Sequence, residues 1–200
     1  MRSAFAPWLV LGVLAAAPTL GERVVLQNDS FTGSFTCHAG IDEGEAMAAK
    51  FTAQPAHYPY TIHHIQVLGC GSTSGSGGSF AVDIYHDDGG TANPGTLIYH
   101  GTVAYALSGA NVFNEIDLSQ EGIPAIASGA IRVSLARVLD LGGAIGFGAD
   151  TNGITSHNNY VRSPLVVWSF AENQGVTGDW ILRLGIEAAS PVQLQRFEID

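Results

Sequence analysis

The residues of this chain best suited to chemistry are carboxylates and amides gathered on glycine-bounded turns. Asp87-Asp88-Gly89-Gly90 runs on to Asn93-Pro94-Gly95, and Asp150-Thr151-Asn152-Gly153 repeats the style further along. Oxygen-bearing side chains clustered on a loop suit Ca²⁺, a hard cation that takes roughly six to eight oxygen ligands. Asp87, Asp88, Asn93, Asp150 and Asn152 are therefore the candidate calcium ligands. The second cluster opens like a calcium loop but lacks the downstream acids and the terminal Glu. The same residue types also build Asx-turns, in which a side chain bonds nearby backbone, and that use accounts for them without an ion.

Other chemistries find less support. The chain has seven histidines, with His57, His63 and His64 close together and His86 and His100 flanking the first acidic turn. On a regular strand His63 and His64 point to opposite faces, so one strand cannot bring both to one ion. No H-E-x-x-H, H-x-H or Cys/His metal spacing occurs. There is no G-x-S-x-G elbow, and Ser72, Ser74, Ser76 and Ser79 lie on a glycine-rich loop ill-suited to holding a nucleophile. Glu43 or Glu45 could pair with Glu115 or Asp117 for glycoside chemistry, but with 18 acids such pairs are unavoidable. No phosphate-cradling loop or dinucleotide fingerprint is present. The expectation is a non-enzymatic protein. Aromatic rings stack on sugar faces, and Tyr58 and Tyr160, beside Pro59 and Asn158-Asn159, are the candidate ligand-binding aromatics. Tyr85, Tyr99, Tyr105, Trp168 and Trp180 fall in strand patterns, where core burial explains them.

The elements that must position these groups read as strands. Apolar residues alternate at Phe80, Val82 and Ile84, at Ile131, Val133 and Leu135, and at Leu182, Leu184 and Ile186. Residues 24–27, 48–52, 61–68, 96–105, 112–118, 144–148, 165–170 and 192–199 extend the set. Turn signals separate them, such as Glu121-Gly122, Ser128-Gly129 and Thr177-Gly178. The one expected helical turn is residues 42–49. About ten short strands without a sustained helical period predict an all-β, antiparallel, jelly-roll-like sandwich.

Composition bounds the rest. The chain has 200 residues, a net charge of −10 and only 13% charged residues, against roughly 25% in a typical domain. Eight bases facing eighteen acids exclude a nucleic-acid binder, because phosphate affinity needs clustered Lys and Arg. Residues 5–17 are an apolar run behind Arg2, too short to span a bilayer but the length of a signal-peptide core. The expectation is a signal segment at 1–21, cut after Gly21, and a single exported domain at 22–200 with no membrane span. Cys37 and Cys70 are the only cysteines, and in an oxidising compartment they predict one disulfide. Asn28-Asp29-Ser30 is a glycosylation sequon should the source be eukaryotic.

An ordered series of short phrases carries a resemblance. Val25-Leu26-Gln27-Asn28-Asp29, Gly40-Ile41-Asp42-Glu43-Gly44-Glu45-Ala46 and Tyr58-Pro59-Tyr60-Thr61-Ile62 come first. Ile84-Tyr85-His86-Asp87-Asp88-Gly89-Gly90, Ile116-Asp117-Leu118-Ser119 and Gly178-Asp179-Trp180-Ile181-Leu182-Arg183 follow. Over most of residues 24–187 the chain resembles uncharacterised secreted β-sandwich proteins of bacteria, with jelly rolls like those of carbohydrate-binding modules. The resemblance implies a location at the cell surface or outside the cell, and it implies no catalytic residues. The expected function is an exported non-catalytic module with a binding or structural role at the cell surface or outside the cell, a glycan or another surface protein being the partners considered. A calcium-dependent carbohydrate-binding module, a self-assembling structural protein using an edge strand at 192–199, and a secreted hydrolase are the alternatives.

Overall fold

The computed structural model describes residues 21–38, 41–70, 77–89, 91–106, 111–140 and 146–189. The expected signal segment (but for Gly21), most of the glycine-rich loop and the expected strand at 192–199 lie outside them. Among the described residues twelve strands form two antiparallel sheets. The first sheet runs β1 (Glu22–Gln27), β12 (Leu182–Ala188), β4 (Tyr60–Cys70), β9 (Gly146–Asp150) and β2 (Phe35–His38), with β7 (Val112–Asp117) also paired to β4. The second runs β11 (Trp168–Phe170), β10 (Asn159–Arg162), β3 (Ala46–Phe51), β8 (Ile131–Asp140), β5 (Gly77–His86) and β6 (Leu97–Ala106). This is the all-β antiparallel sandwich that the alternation predicts. No helix among the described residues is long and apolar enough to cross a membrane.

Period-two alternation builds the core directly. Ile62, Ile65, Val67, Leu182, Leu184 and Ile186 from one sheet meet Met47, Phe80, Val82, Ile84, Ile131, Val133 and Leu135 from the other. Burial of each such side chain contributes about 1.5–3 kcal/mol. A second, smaller apolar cluster lies on the outer face of the second sheet. There Ala46, Ala48, Ala81 and Ala136 are covered by Tyr160 and Trp168. Small residues let large aromatics lie flat on the sheet.

The expected helical turn at 42–49 is corrected by the structure. Residues 42–45 form a turn, in which Glu45 N–H donates to the Asp42 carbonyl at 3.0 Å and Gly44 takes φ +85°. β3 then starts at Ala46 and pairs with β8 and β10. Alanine favours helix locally, but burial on both faces of a central strand overrides that preference. β2 and β10 are two strands that the alternation did not show.

Candidate functional site

The first acidic turn is built around a cation that belongs to the chain. Arg132, 0% exposed, projects from the outer face of β8. Its guanidinium donates to Asp87 Oδ1 and to the Ala92 carbonyl, both at 2.6 Å, and stacks 3.4 Å from the Tyr160 ring centroid. Lys50 Nζ reaches Asp87 Oδ2 at 3.0 Å. Asp88 turns away and accepts the Thr96 N–H at 3.0 Å. Asn93 is exposed, and its N–H donates to Thr91 Oγ1. Asp87 thus has a guanidinium on one oxygen and an ammonium on the other, and Asp88 caps backbone.

Asp150 and Asn152 belong to a second network. Asp150, 1% exposed, accepts the Ser30 N–H at 2.8 Å, the Ser30 hydroxyl at 2.9 Å and the Asp179 N–H at 3.0 Å. Asn152 Nδ2 donates to the Ser30 hydroxyl. Asp179 in turn accepts from Thr155 and from Asn159 Nδ2. These donors are backbone N–H, hydroxyl and amide groups, so the aspartates tie the loop after β1 to the loops flanking β10 and β12. Among the described residues no group of three His, Cys, Asp or Glu side chains converges as a metal site.

Two further expectations about exposure and direction change. Tyr160 is not an exposed platform. It is 2% exposed, its hydroxyl donates to the His157 carbonyl at 2.6 Å, and burial raises its phenol above the ordinary value. Tyr58 is half-buried, donating to the Gly129 carbonyl at 2.7 Å and packing on Tyr60. His63 and His64 do share a face. The β4–β12 register passes from His64↔Gly185 to Ile62↔Ile186 and leaves His63 as the extra residue of a β-bulge. His63 reaches Glu187 at 3.1 Å and His64 reaches Glu115 at 3.8 Å, both carboxylates of the outer face. The expected disulfide is present, joining Cys37 of β2 to Cys70 of β4.

The concave feature with the most varied chemistry is a cleft of about 450 Å³ at the margin shared by the two sheets. Ile41, Val161, Val176 and Trp180 give it an apolar floor. His38, Glu45, Ser169 and Gln174 supply polar groups, while the Arg162 side chain turns to the outer face with Trp168 and Asp83. Size and lining match a small-molecule site, an apolar recess with a few polar groups that fix orientation. His38 sits edge-on to Trp180, with ring centroids 5.3 Å apart, and its Nε2 is buried without a hydrogen-bond partner. Burial holds its pKa below the usual 6.5. Asp83, on the outer face of β5, binds His100 Nδ1 at 2.6 Å. The neighbouring Tyr85 phenol is pushed up to about 12, by burial first and then by the Asp83 charge.

The lip of the cleft is the β10–β11 hairpin. Leu165, Val166 and Val167 are 85%, 68% and 60% exposed, and Val166 takes φ +61°. A β-branched residue in the left-handed region is strained, and such strain concentrates at functional loops. A second cleft of about 450 Å³ lies between β1 and Lys50, but Lys50 is already paired with Asp87. The sequence reading missed His38 as a site residue and set Trp180 aside as core.

No family model and no curated protein matches this chain. Among solved structures it is similar to the clostridial cysteine protease Cwp84 after propeptide cleavage. The identity is 10% and the TM-score 0.50, over 83% of this chain and 40% of that one. That likeness shows the fold alone, and the chain spans two fifths of the protease's length.

Proposed function

We propose that the protein is an exported, non-catalytic binding module whose ligand sits in the cleft between His38, Val161 and Trp180. The observation that carries this reading is the cleft itself, with its apolar floor and converging polar rim. Two features support the non-catalytic part. Both cysteines of the chain are joined, so no thiol is available as a nucleophile. The buried carboxylates of Asp29, Asp87, Asp150 and Asp179 each hold a cation or a set of donors, which suits scaffolding better than proton transfer. The disulfide supports export, because such bonds persist in oxidising compartments. The resemblance to secreted bacterial β-sandwich proteins points the same way.

The test is a ligand screen by heteronuclear NMR on the purified protein, with saccharides and small metabolites as probes. A binder is expected to shift His38, Val161, Arg162 and Val176. If binders move only distant residues, or if none is found across those classes, the reading fails. The exposed hairpin tip Leu165–Val167 beside edge strand β11 favours a second reading, docking of a protein partner.

A further inference from the structure

Among the described residues β1 lies at a margin of its sheet and pairs with β12 alone. In an antiparallel sheet the backbone groups of successive residues point alternately to the two neighbours. At one end of β12 the Leu68 N–H donates to the Ile181 carbonyl at 3.1 Å, and at the other the Ala189 N–H donates to the Pro59 carbonyl at 2.9 Å. Odd-numbered residues of this stretch therefore face β4, and Leu184, Ile186 and Ala188 face β1. Their partners there are Leu26, Val24 and Glu22. The N–H and C=O groups of Arg23, Val25 and Gln27 are left pointing outward, and among the described residues no backbone group meets them. That free edge borders the cleft of about 450 Å³ beside β1. Residues Val24 to Asn28 line it without a gap, and Phe51, Thr52, Gln54, His57 and Asn158 complete its lining. Val24 and Leu26 pack against the core yet stay only half-buried. The lining holds no carboxylate, although the chain has 18 acids, and the Lys50 ammonium is turned to Asp87.

We infer that the free edge of β1 takes an extended, uncharged peptide segment as an added strand, its alternate apolar side chains entering the cleft. Unpaired backbone groups at every second residue are a template for strand addition, in which main-chain bonds give affinity and alternate side chains give specificity. A peptide laid along β1 bonds Arg23, Val25 and Gln27. Every second side chain then covers Val24 and Leu26, the half-buried residues of β1 on the core side. Apolar groups suit those positions. A charge there would lose water without gaining a counter-ion, which is costly. The six residues of β1 span about 20 Å, so a segment of similar length fills the edge. A second copy of this chain fits poorly, because each brings a net charge of −10 and like charges repel. The site is separate from the cleft at His38, and neither reading depends on the other.

The experiment is heteronuclear NMR titration of the purified protein with a blocked peptide, acetyl-Ser-Val-Thr-Val-Thr-Val-Ser-amide. The amides of Arg23, Val25 and Gln27 are expected to shift and to exchange with solvent at least about tenfold more slowly, the worth of one backbone hydrogen bond near the top of its usual range. Residues of the other cleft, His38 and Val176, should not move. Two analogues carry N-methyl groups, one on the threonines and one on the valines. Strand addition uses one backbone parity, so one analogue must lose binding and the other keep it; equal effects of the two overturn the inference. Val25→Pro removes an outward N–H and leaves the bonds to β12 in place. It should weaken the peptide about tenfold, and unchanged affinity would overturn the inference. If that variant fails to fold, the two analogues decide on the wild-type chain. No binding at millimolar peptide overturns the inference, as does binding that appears only after residues 190–200 are deleted, which would make the chain's own tail the occupant. Slowed exchange at the same amides on raising protein concentration without peptide would assign the edge to a second copy, and overturn it too.

Discussion

Replacing Asp87 by Ala is the sharpest probe of how the acidic turn is held. The substitution leaves Arg132 with 0% side-chain exposure and without its carboxylate. Breaking a buried ion pair from one side costs about 3–5 kcal/mol, because the remaining charge is uncompensated. Arg132 keeps the Ala92 carbonyl and the Tyr160 face, which places the loss near the lower end, about 3 kcal/mol. For a chain of this length that is a fall of about 6–12 °C in melting temperature. The assay is thermal unfolding by circular dichroism, run in excess chelator and again in millimolar CaCl2. Because a guanidinium and an ammonium already occupy Asp87, the fall should be the same in both buffers. Removing both partners, Asp87→Ala with Arg132→Met, should recover part of the loss. The reasoning is refuted if chelator lowers the wild-type melting temperature and the Asp87→Ala variant no longer responds to it.

Three further outcomes follow from the described contacts. The double variant Cys37→Ser/Cys70→Ser opens a loop with a sequence separation of 33 and should lose about 3–4 kcal/mol in denaturant titration; a loss under about 1 kcal/mol would count against a stabilising role. His38 is held below its ordinary value of 6.5, so the native state resists its protonation. Its contribution to stability is present above 6.5 and is lost as pH falls from there toward the folded value. His38→Asn should therefore flatten the stability-versus-pH curve in that acid window, and an unchanged slope would show that His38 is not desolvated. A Cβ at Gly178 would overlap the Asp150 carbonyl, so Gly178→Ala should destabilise more than Gly122→Ala, whose strained φ of +65° has open space around it.

Much of the sandwich was legible because burial on one face writes period two into the chain, as at Ile131, Val133 and Leu135. β3 was harder to place. Its sequence, Ala46 to Phe51, is buried on both faces except at Lys50, so its alternation is between small and large apolar residues. β10 was hidden by polar residues whose burial depends on distant partners, such as Asn159 with Asp179. The bulge in β4 did leave a trace. Tyr60 and Ile62 are inward at even positions and Ile65 and Val67 at odd ones, with the doubled His63-His64 between. The acidic turns were found but their counter-ion was not, because Arg132 lies 45 residues from Asp87 in sequence. The cleft was illegible for a similar reason: His38, Val161 and Trp180 come from three separate parts of the chain.

The bond between Cys37 and Cys70 packs against Gly146 at the start of β9, where a Cβ would lie 2.8 and 2.9 Å from the two sulfurs. β2 has only four residues and forms the margin of its sheet, the kind of strand that frays first. Were it to peel away, the fully buried backbone of Gly146–Asp150 would become an open template for a neighbouring molecule. The disulfide fastens that short cover to β4. It therefore works as a latch against aggregation.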